Sequence, residues 1–344
     1  MMVGGGTKRL QSASRPWRIH ALVLVVYTLL ALTLTWPVVS RFASHVPGNG
    51  VDDPPLTWNL WWVRHAFLDL GSNPLDSDYL FHPLGINLAF YTLTVLNGLL
   101  SLPLQAILGL VPATNLLLIS SFIIGGYGTF LLAGYCLGIR RWSQNWERSF
   151  AAFAAGLLYA FAASKLAYAS LGQWNIASSQ WIPFYVLYLF RIGEQAGCWR
   201  CPLMAALFLL LQAYAELTFA SFLILFTLLW AVWYLLVTLR SSSARTHLRL
   251  LADLALVGLA FIVGLIPVLA KMIPDMLAEG DLFSVGGGFA DVFSADLLGF
   301  LVPGMQHPIF GSLVEHFHFD HGVGQHIYLC LLYTSDAADE SSRV

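Results

Sequence analysis

The 344 residues are 58% hydrophobic and 10% charged, with a formal net charge of −2 and a mean hydropathy of +0.70. A soluble domain of this size cannot hide that much apolar surface, because its shell is mostly polar. The composition excludes a water-soluble globular protein; the net charge itself says nothing about partners, and no nucleic acid is expected among them.

A basic lead (Lys8, Arg9, Arg15, Arg18) precedes ALVLVVYTLLALTLTWPVV at 21–39, an uninterrupted apolar run; 220–239 forms another. At about 20 residues, each is long enough for a helix to cross ~30 Å of hydrocarbon. The lead resembles a signal peptide, but the run is long and no A-x-A site follows it. An uncleaved signal anchor with a cytoplasmic N-terminus is expected. Helices are predicted near 20–40, 92–111, 114–138, 149–168, 177–192, 202–217, 219–239 and 250–273. The fold class is therefore all-α, a polytopic transmembrane helical bundle of the inner or plasma membrane, surrounded by membrane lipids.

The connectors RRWSQNWER (140–148), RIGEQAGCWR (191–200) and RSSSARTHLR (240–249) are basic. With the N-terminal lead they hold 12 of the 17 Lys and Arg residues, which places all four in the cytoplasm under the positive-inside rule. Only an odd number of crossings returns Arg140 to the inside after the first helix. Segment 92–111, with Asn97, Gly98, Pro103, Gln105 and Gly109, is the poorer spanning helix and is expected to lie at the outer face. A full crossing with Arg140 and Arg141 outside is the alternative. The scheme gives seven crossings in a membrane domain over 1–329, with a long first outer loop at about 41–113 and a second outer segment at about 274–329. Cys198 and Cys201 form a CxxC without a second pair and read as two incidental thiols beside a helix start, with a metal or redox role as the alternative.

Ionisable groups in hydrocarbon are costly and commonly mark a site. Lys165, Glu216 and Lys271 are expected at the outer level of the bundle, with Asp52 and Asp53 of the first outer loop at the same depth. Other roles remain open. Lys165 and Lys271 would also reach lipid phosphates by snorkelling, Glu216 would pair with Lys165 or with water, and either aspartate would cap the helix started by Pro54 and Pro55. Trp58, Trp61 and Trp62 suit a juxtamembrane helix anchored by indoles in the headgroup layer. His316, His318, His321 and His326 invite a metal reading, against which solvated loop histidines stand. Gly286–Gly288 lack the strand–turn–helix context of a phosphate loop.

The stretches VDDPPLTWNLWW (51–62), LFHPLGINL (80–88) with its P-x-G turn, and ASLGQWNIASSQWIPFYVL (169–187) carry a resemblance. Together with the helix order they resemble bacterial members of the GT-C superfamily of polytopic glycosyltransferases. That group includes the oligosaccharyltransferase catalytic subunit, protein mannosyltransferases and the aminoarabinose transferase. The resemblance implies an enzyme that moves a sugar from a polyprenyl-phosphate donor to an acceptor on the outer face. Asp52 or Asp53 takes the catalytic position, with Asp53–Pro54 closer to the family's start of the loop. Arg64, Lys165 and Lys271 are implied as cations near the donor phosphate, and His82 and Gln173 as sugar or phosphate contacts; Glu216 is counted with the substrate-binding groups. Gln173 and Asn175 stand where a DxD would hold a divalent cation, so a tightly bound metal is not supported. A transporter or flippase and a membrane scaffold without chemistry are the rival readings.

Finally, CLLYTSDAADE at 330–340 back-translates to a transposase sequencing adapter. Residues 330–344 are therefore expected to be an artefact, and the natural chain to continue past Leu329.

Overall fold

Inside lipid every backbone N–H and C=O must find its partner within its own segment, so the apolar runs become the longest helices. The computed structural model describes residues 17–139, 142, 145–194, 198–279, 312 and 316. Its helices are α1 (Trp17–Leu34), α2 (Asp53–Arg64), α3 (Val95–Leu108), α4 (Leu110–Cys136), α5 (Trp146–Ala160), α6 (Ala163–Ser170), α7 (Trp174–Ala177), α8 (Ile182–Glu194), α9 (Arg200–Ala215), α10 (Leu217–Thr238) and α11 (Ala244–Glu279). Among the described residues, strand is confined to one antiparallel pair, β1 (Asp76–Ser77) and β2 (Ile86–Asn87). Among the described residues, five segments are long and apolar enough to cross a membrane: 17–34, 110–136, 146–170, 217–238 and 244–278. The chain is an all-α, multi-pass membrane protein.

Helix α4 is the central post, packed against α1, α3, α5 and α8. Lipid offers helices no hydrophobic incentive to associate, so close backbone approach at small residues must hold them. Gly126 shows this: a Cβ there would press on Ala160 at 3.0 Å and on the Tyr27 ring at 3.2 Å. Tyr27 is fully buried, and its hydroxyl donates to the Phe153 carbonyl at 2.8 Å.

The two ends of the bundle differ. At one end α4, α8 and α10 terminate together: Tyr135 donates to Glu194 at 2.7 Å, and Tyr234 donates to the Gly193 carbonyl at 2.6 Å. The basic connectors attach here. At the opposite end lie the segment 35–94, the segment 171–180 and the α9–α10 turn at Glu216.

Several details depart from the sequence reading. The helix expected at 149–168 is interrupted, because Ala162 (φ −57°, ψ 140°) leaves helical space between α5 and α6. Helix α11 extends 36 residues rather than 24, through Pro267 and Pro274. Helix α3 has 14 residues, about 21 Å, which is shorter than a hydrocarbon core. Trp62 is not a headgroup anchor: it is 1% exposed, and its indole N–H donates to the Pro74 carbonyl at 2.9 Å. Trp58 stacks on it with centroids 5.5 Å apart. Cys198 and Cys201 are joined in a disulfide rather than being separate thiols. Residues 1–16, Gly286–Gly288, His318, His321, His326 and 330–344 lie outside the described residues.

Candidate functional site

The loop before α2 is polar and rich in glycine, and Pro54 and Pro55 begin the helix without needing the N–H groups they lack. Asp52 occupies the N-cap position but makes no side-chain capping bond. Its Oδ2 instead accepts from Gln173 Nε2 at 2.7 Å, joining the loop before α2 to the segment that follows α6. Asp53 Oδ1 accepts from the Gly50 backbone N–H at 2.7 Å, which closes the turn over 50–53. A Cβ on Gly172 would lie 2.5 Å from Asp53 Cβ, and one on Gly48 would overlap the Asp53 carboxylate. Gly172 also holds φ +80°, a conformation side-chain-bearing residues resist. Asp53 thus sits in a niche whose walls are glycines.

Tyr91, just before α3, adds to the electrostatics. Burial raises its phenol above the ordinary value, and the nearby Asp52 charge raises it further.

From Gln173 the chain becomes a hub. Asn175 Nδ2 donates to Glu216 Oε2 at 2.9 Å, and Glu216 Oε1 accepts from the Thr218 N–H at 3.4 Å at the start of α10. Gln212 Nε2 donates to the Ser178 carbonyl at 2.9 Å, and Asn97 Nδ2 to the Ser178 hydroxyl at 3.1 Å. Tyr159 donates to the Ser179 carbonyl at 2.7 Å. Nearby, Asn59 Nδ2 donates to the Thr92 carbonyl at 2.6 Å. A carbonyl and a carboxylate accept only, so the carboxamides of Asn59, Asn175 and Gln212 are fixed with nitrogen toward them. Their oxygens are buried without a partner among the described residues.

Lys165 lies deeper than expected. It is 7% exposed, and Nζ donates to the Ser121 carbonyl at 3.1 Å, with the Phe122 ring 4.9 Å away. Ser121 is eleven residues into α4, about 16 Å along its axis. The side chain turns into the bundle rather than snorkelling, and Glu216 does not pair with it. Among the described residues no carboxylate is within 4.0 Å of Nζ. Through Ser121, whose hydroxyl donates to the Ala177 carbonyl at 3.3 Å, Lys165 connects to the same hub.

Segment 171–180 therefore connects Asp52 and Glu216 directly and the deeper Lys165 through Ser121, with Asp53 against its Gly172. Comparison with protein-family models, characterised proteins and solved structures gave no match. The remaining residues singled out from sequence lie elsewhere. Arg64 is at the far end of α2, about 16 Å along the helix from Asp53, facing Asp69 at 3.8 Å. His82 is exposed in the loop between β1 and β2. Lys271 Nζ pairs with Asp76 at 2.6 Å, and the Lys271 carbonyl and Asp275 both accept from Asn87 Nδ2, which clamps the β-pair to α11. Among the described residues no group of three or more His, Cys, Asp or Glu side chains is placed to hold a metal ion.

Sequence reasoning missed Gly172, Ser178 and Tyr91. The signal available was the lone amides at 59, 97 and 212 in apolar helices, each of which demands a buried partner.

Proposed function

We propose that the chain is a glycosyltransferase of the inner or plasma membrane, with its N-terminus in the cytoplasm. It moves a sugar from a polyprenyl-phosphate donor to an acceptor at the outer face. The observation that carries this reading is the glycine-walled Asp53 beside the Asp52–Gln173 bridge, at the bundle end opposite the basic connectors.

Nucleotide sugars are not supplied outside the cytoplasm, so an outward-facing transferase draws on a lipid-linked sugar. Asp53 accepts the proton of the acceptor hydroxyl as that oxygen attacks the anomeric carbon. The bond from that carbon to the phosphate oxygen breaks, and polyprenyl phosphate departs with the electron pair. Lys271 and Arg64 already face carboxylates. The cation assigned to the leaving phosphate is therefore Lys165, which has none. The buried carboxamides of Asn59, Asn175 and Gln212 hold the surrounding segments in place.

The test uses the purified chain in liposomes loaded with radiolabelled polyprenyl-phosphate sugars, scoring released polyprenyl phosphate. Wild type turns over, and Asp53→Asn falls by about 10²–10⁴. Undiminished consumption by that variant removes the assignment. A second reading, transport of a lipid or solute, is favoured by one feature: an intramembrane lysine beside the α5–α6 interruption. Counterflow of label without turnover would select it.

A further inference from the structure

At the end of the bundle opposite Asp53, the connector between α8 and α9 carries Cys198-Trp199-Arg200-Cys201. The two cysteines are bonded, with Cα atoms 5.4 Å apart. Their environments differ sharply. Cys201 is 1% exposed, packed in the core cluster beside Ile192 and Ala205, in the first turn of the 16-residue α9. Cys198 precedes the helix and is only half-buried. Between them Trp199 is 66% exposed, and the Arg200 guanidinium lies 5.0 Å from its ring centroid.

This is one of the three basic connectors, which the charge rule assigns to the cytoplasm. Thiols there are held reduced, and a disulfide that forms is characteristically transient. A pair with one reachable sulfur and one sealed sulfur has a built-in order of reaction. Cys201 stands in the first turn of α9, whose N-terminal dipole offsets part of the cost of a buried thiolate there.

We propose that Cys198 and Cys201 form a thiol–disulfide exchange site whose substrate is a small thiol or a protein dithiol. An incoming thiolate attacks Cys198 Sγ, the Cys198–Cys201 bond breaks, and Cys201 leaves as the thiolate. A second thiolate attacks the mixed disulfide at its outer sulfur, releasing the oxidised thiol as a disulfide. Protons taken up by Cys198 and Cys201 come from the two consumed thiols. In reverse, the reduced pair reduces a disulfide, with Cys201 resolving the mixed disulfide formed at Cys198.

The full chain in nanodiscs is equilibrated in glutathione buffers of graded potential, acid-quenched, alkylated and read by peptide mass. The two cysteines should change state together and reversibly. Glutathione disulfide should then leave about tenfold more adduct on Cys198 of the Cys201→Ser variant than on Cys201 of Cys198→Ser. In vesicles of known sidedness, an impermeant maleimide should reach reduced Cys198 only from the cytoplasmic face. The proposal is overturned if wild type stays dithiol through the oxidising buffers or stays closed in excess dithiothreitol. Equal adducts on the two variants, or labelling of Cys198 from the outer face, overturn it as well.

Discussion

The side-chain amide of Gln173 donates to Asp52 across 121 positions of sequence, at 2.7 Å. This one bond fastens the loop before α2 to the hub that also meets Glu216 and Ser178. A hydrogen bond to a charged acceptor contributes about 1.5–3 kcal/mol. Gln173→Ala is therefore expected to lower the stability of the detergent-solubilised protein by an amount in that range, read by thermal unfolding. Asp52→Ala should cost as much, and the double variant should cost little more than either alone. Additive losses would show that the two side chains do not interact.

Gly172 and Gly50 separate crowding from backbone strain. Both hold positive φ, +80° and +84°, but a Cβ on Gly172 meets Asp53 while one on Gly50 meets nothing within 4 Å. Gly50→Ala is expected to cost about 1 kcal/mol through strain alone. Gly172→Ala carries the same strain and also displaces Asp53, so its turnover should fall far more than its melting temperature. Equal losses of turnover in the two variants would remove Gly172 from the site.

Tyr91 supplies a pH signature. Burial first, and the Asp52 charge second, raise its phenol above the usual value of 10. A raised pKa means that the folded state holds this proton more tightly than the unfolded chain. The corresponding stability is complete below pH 10 and is lost as pH climbs through the folded-state value. Asp52→Asn should move the Tyr91 titration, followed by ultraviolet difference absorbance, back toward the ordinary phenol. An unmoved titration would separate the two groups.

Lys165 is buried without a carboxylate, so its charge costs stability that an apolar side chain of similar length would not. Lys165→Met is expected to melt at the same or a higher temperature while losing turnover. A variant that is both less stable and fully active would make the ammonium a structural donor to Ser121 rather than a ligand for phosphate.

The clamp on the β-pair distinguishes two kinds of contact. Lys271–Asp76 is an ion pair between side chains 38% and 50% exposed, and Lys271→Met should cost less than about 1 kcal/mol. Asn87 donates to the Lys271 carbonyl and Asp275, and accepts from the Ala89 N–H. Asn87→Ala should raise hydrogen exchange over 75–90 well beyond the Lys271 variant. Identical exchange would remove this distinction.

The helices were legible because lipid makes length and apolarity nearly sufficient: 220–239 reads as a crossing and is α10. The interruption at Ala162 was not, since FAAS contains neither Gly nor Pro and tertiary packing alone decides it. Asp52, Gln173 and Glu216 were found as isolated polar groups in an apolar chain. Their wiring was hidden, because Asn175 takes Glu216 while Lys165, the nearest formal countercharge in the sequence reading, turns to a carbonyl. Trp58 and Trp62 share a helical face, and spacing cannot say which indole is sealed by Pro74. Likewise CxxC spacing allows a bond without indicating that one sulfur is sealed and the other reachable.

Helix α11 is the member whose proportions reach furthest. Its 36 residues make a rod of about 54 Å, against roughly 30 Å of hydrocarbon. Even at an average inclination, about 20 Å of it must lie beyond the hydrocarbon, in the headgroup layers and water at its two ends. The clamp at Lys271 and Asp275 braces the C-terminal part of that rod against the β-pair, at the end of the bundle that holds Asp53.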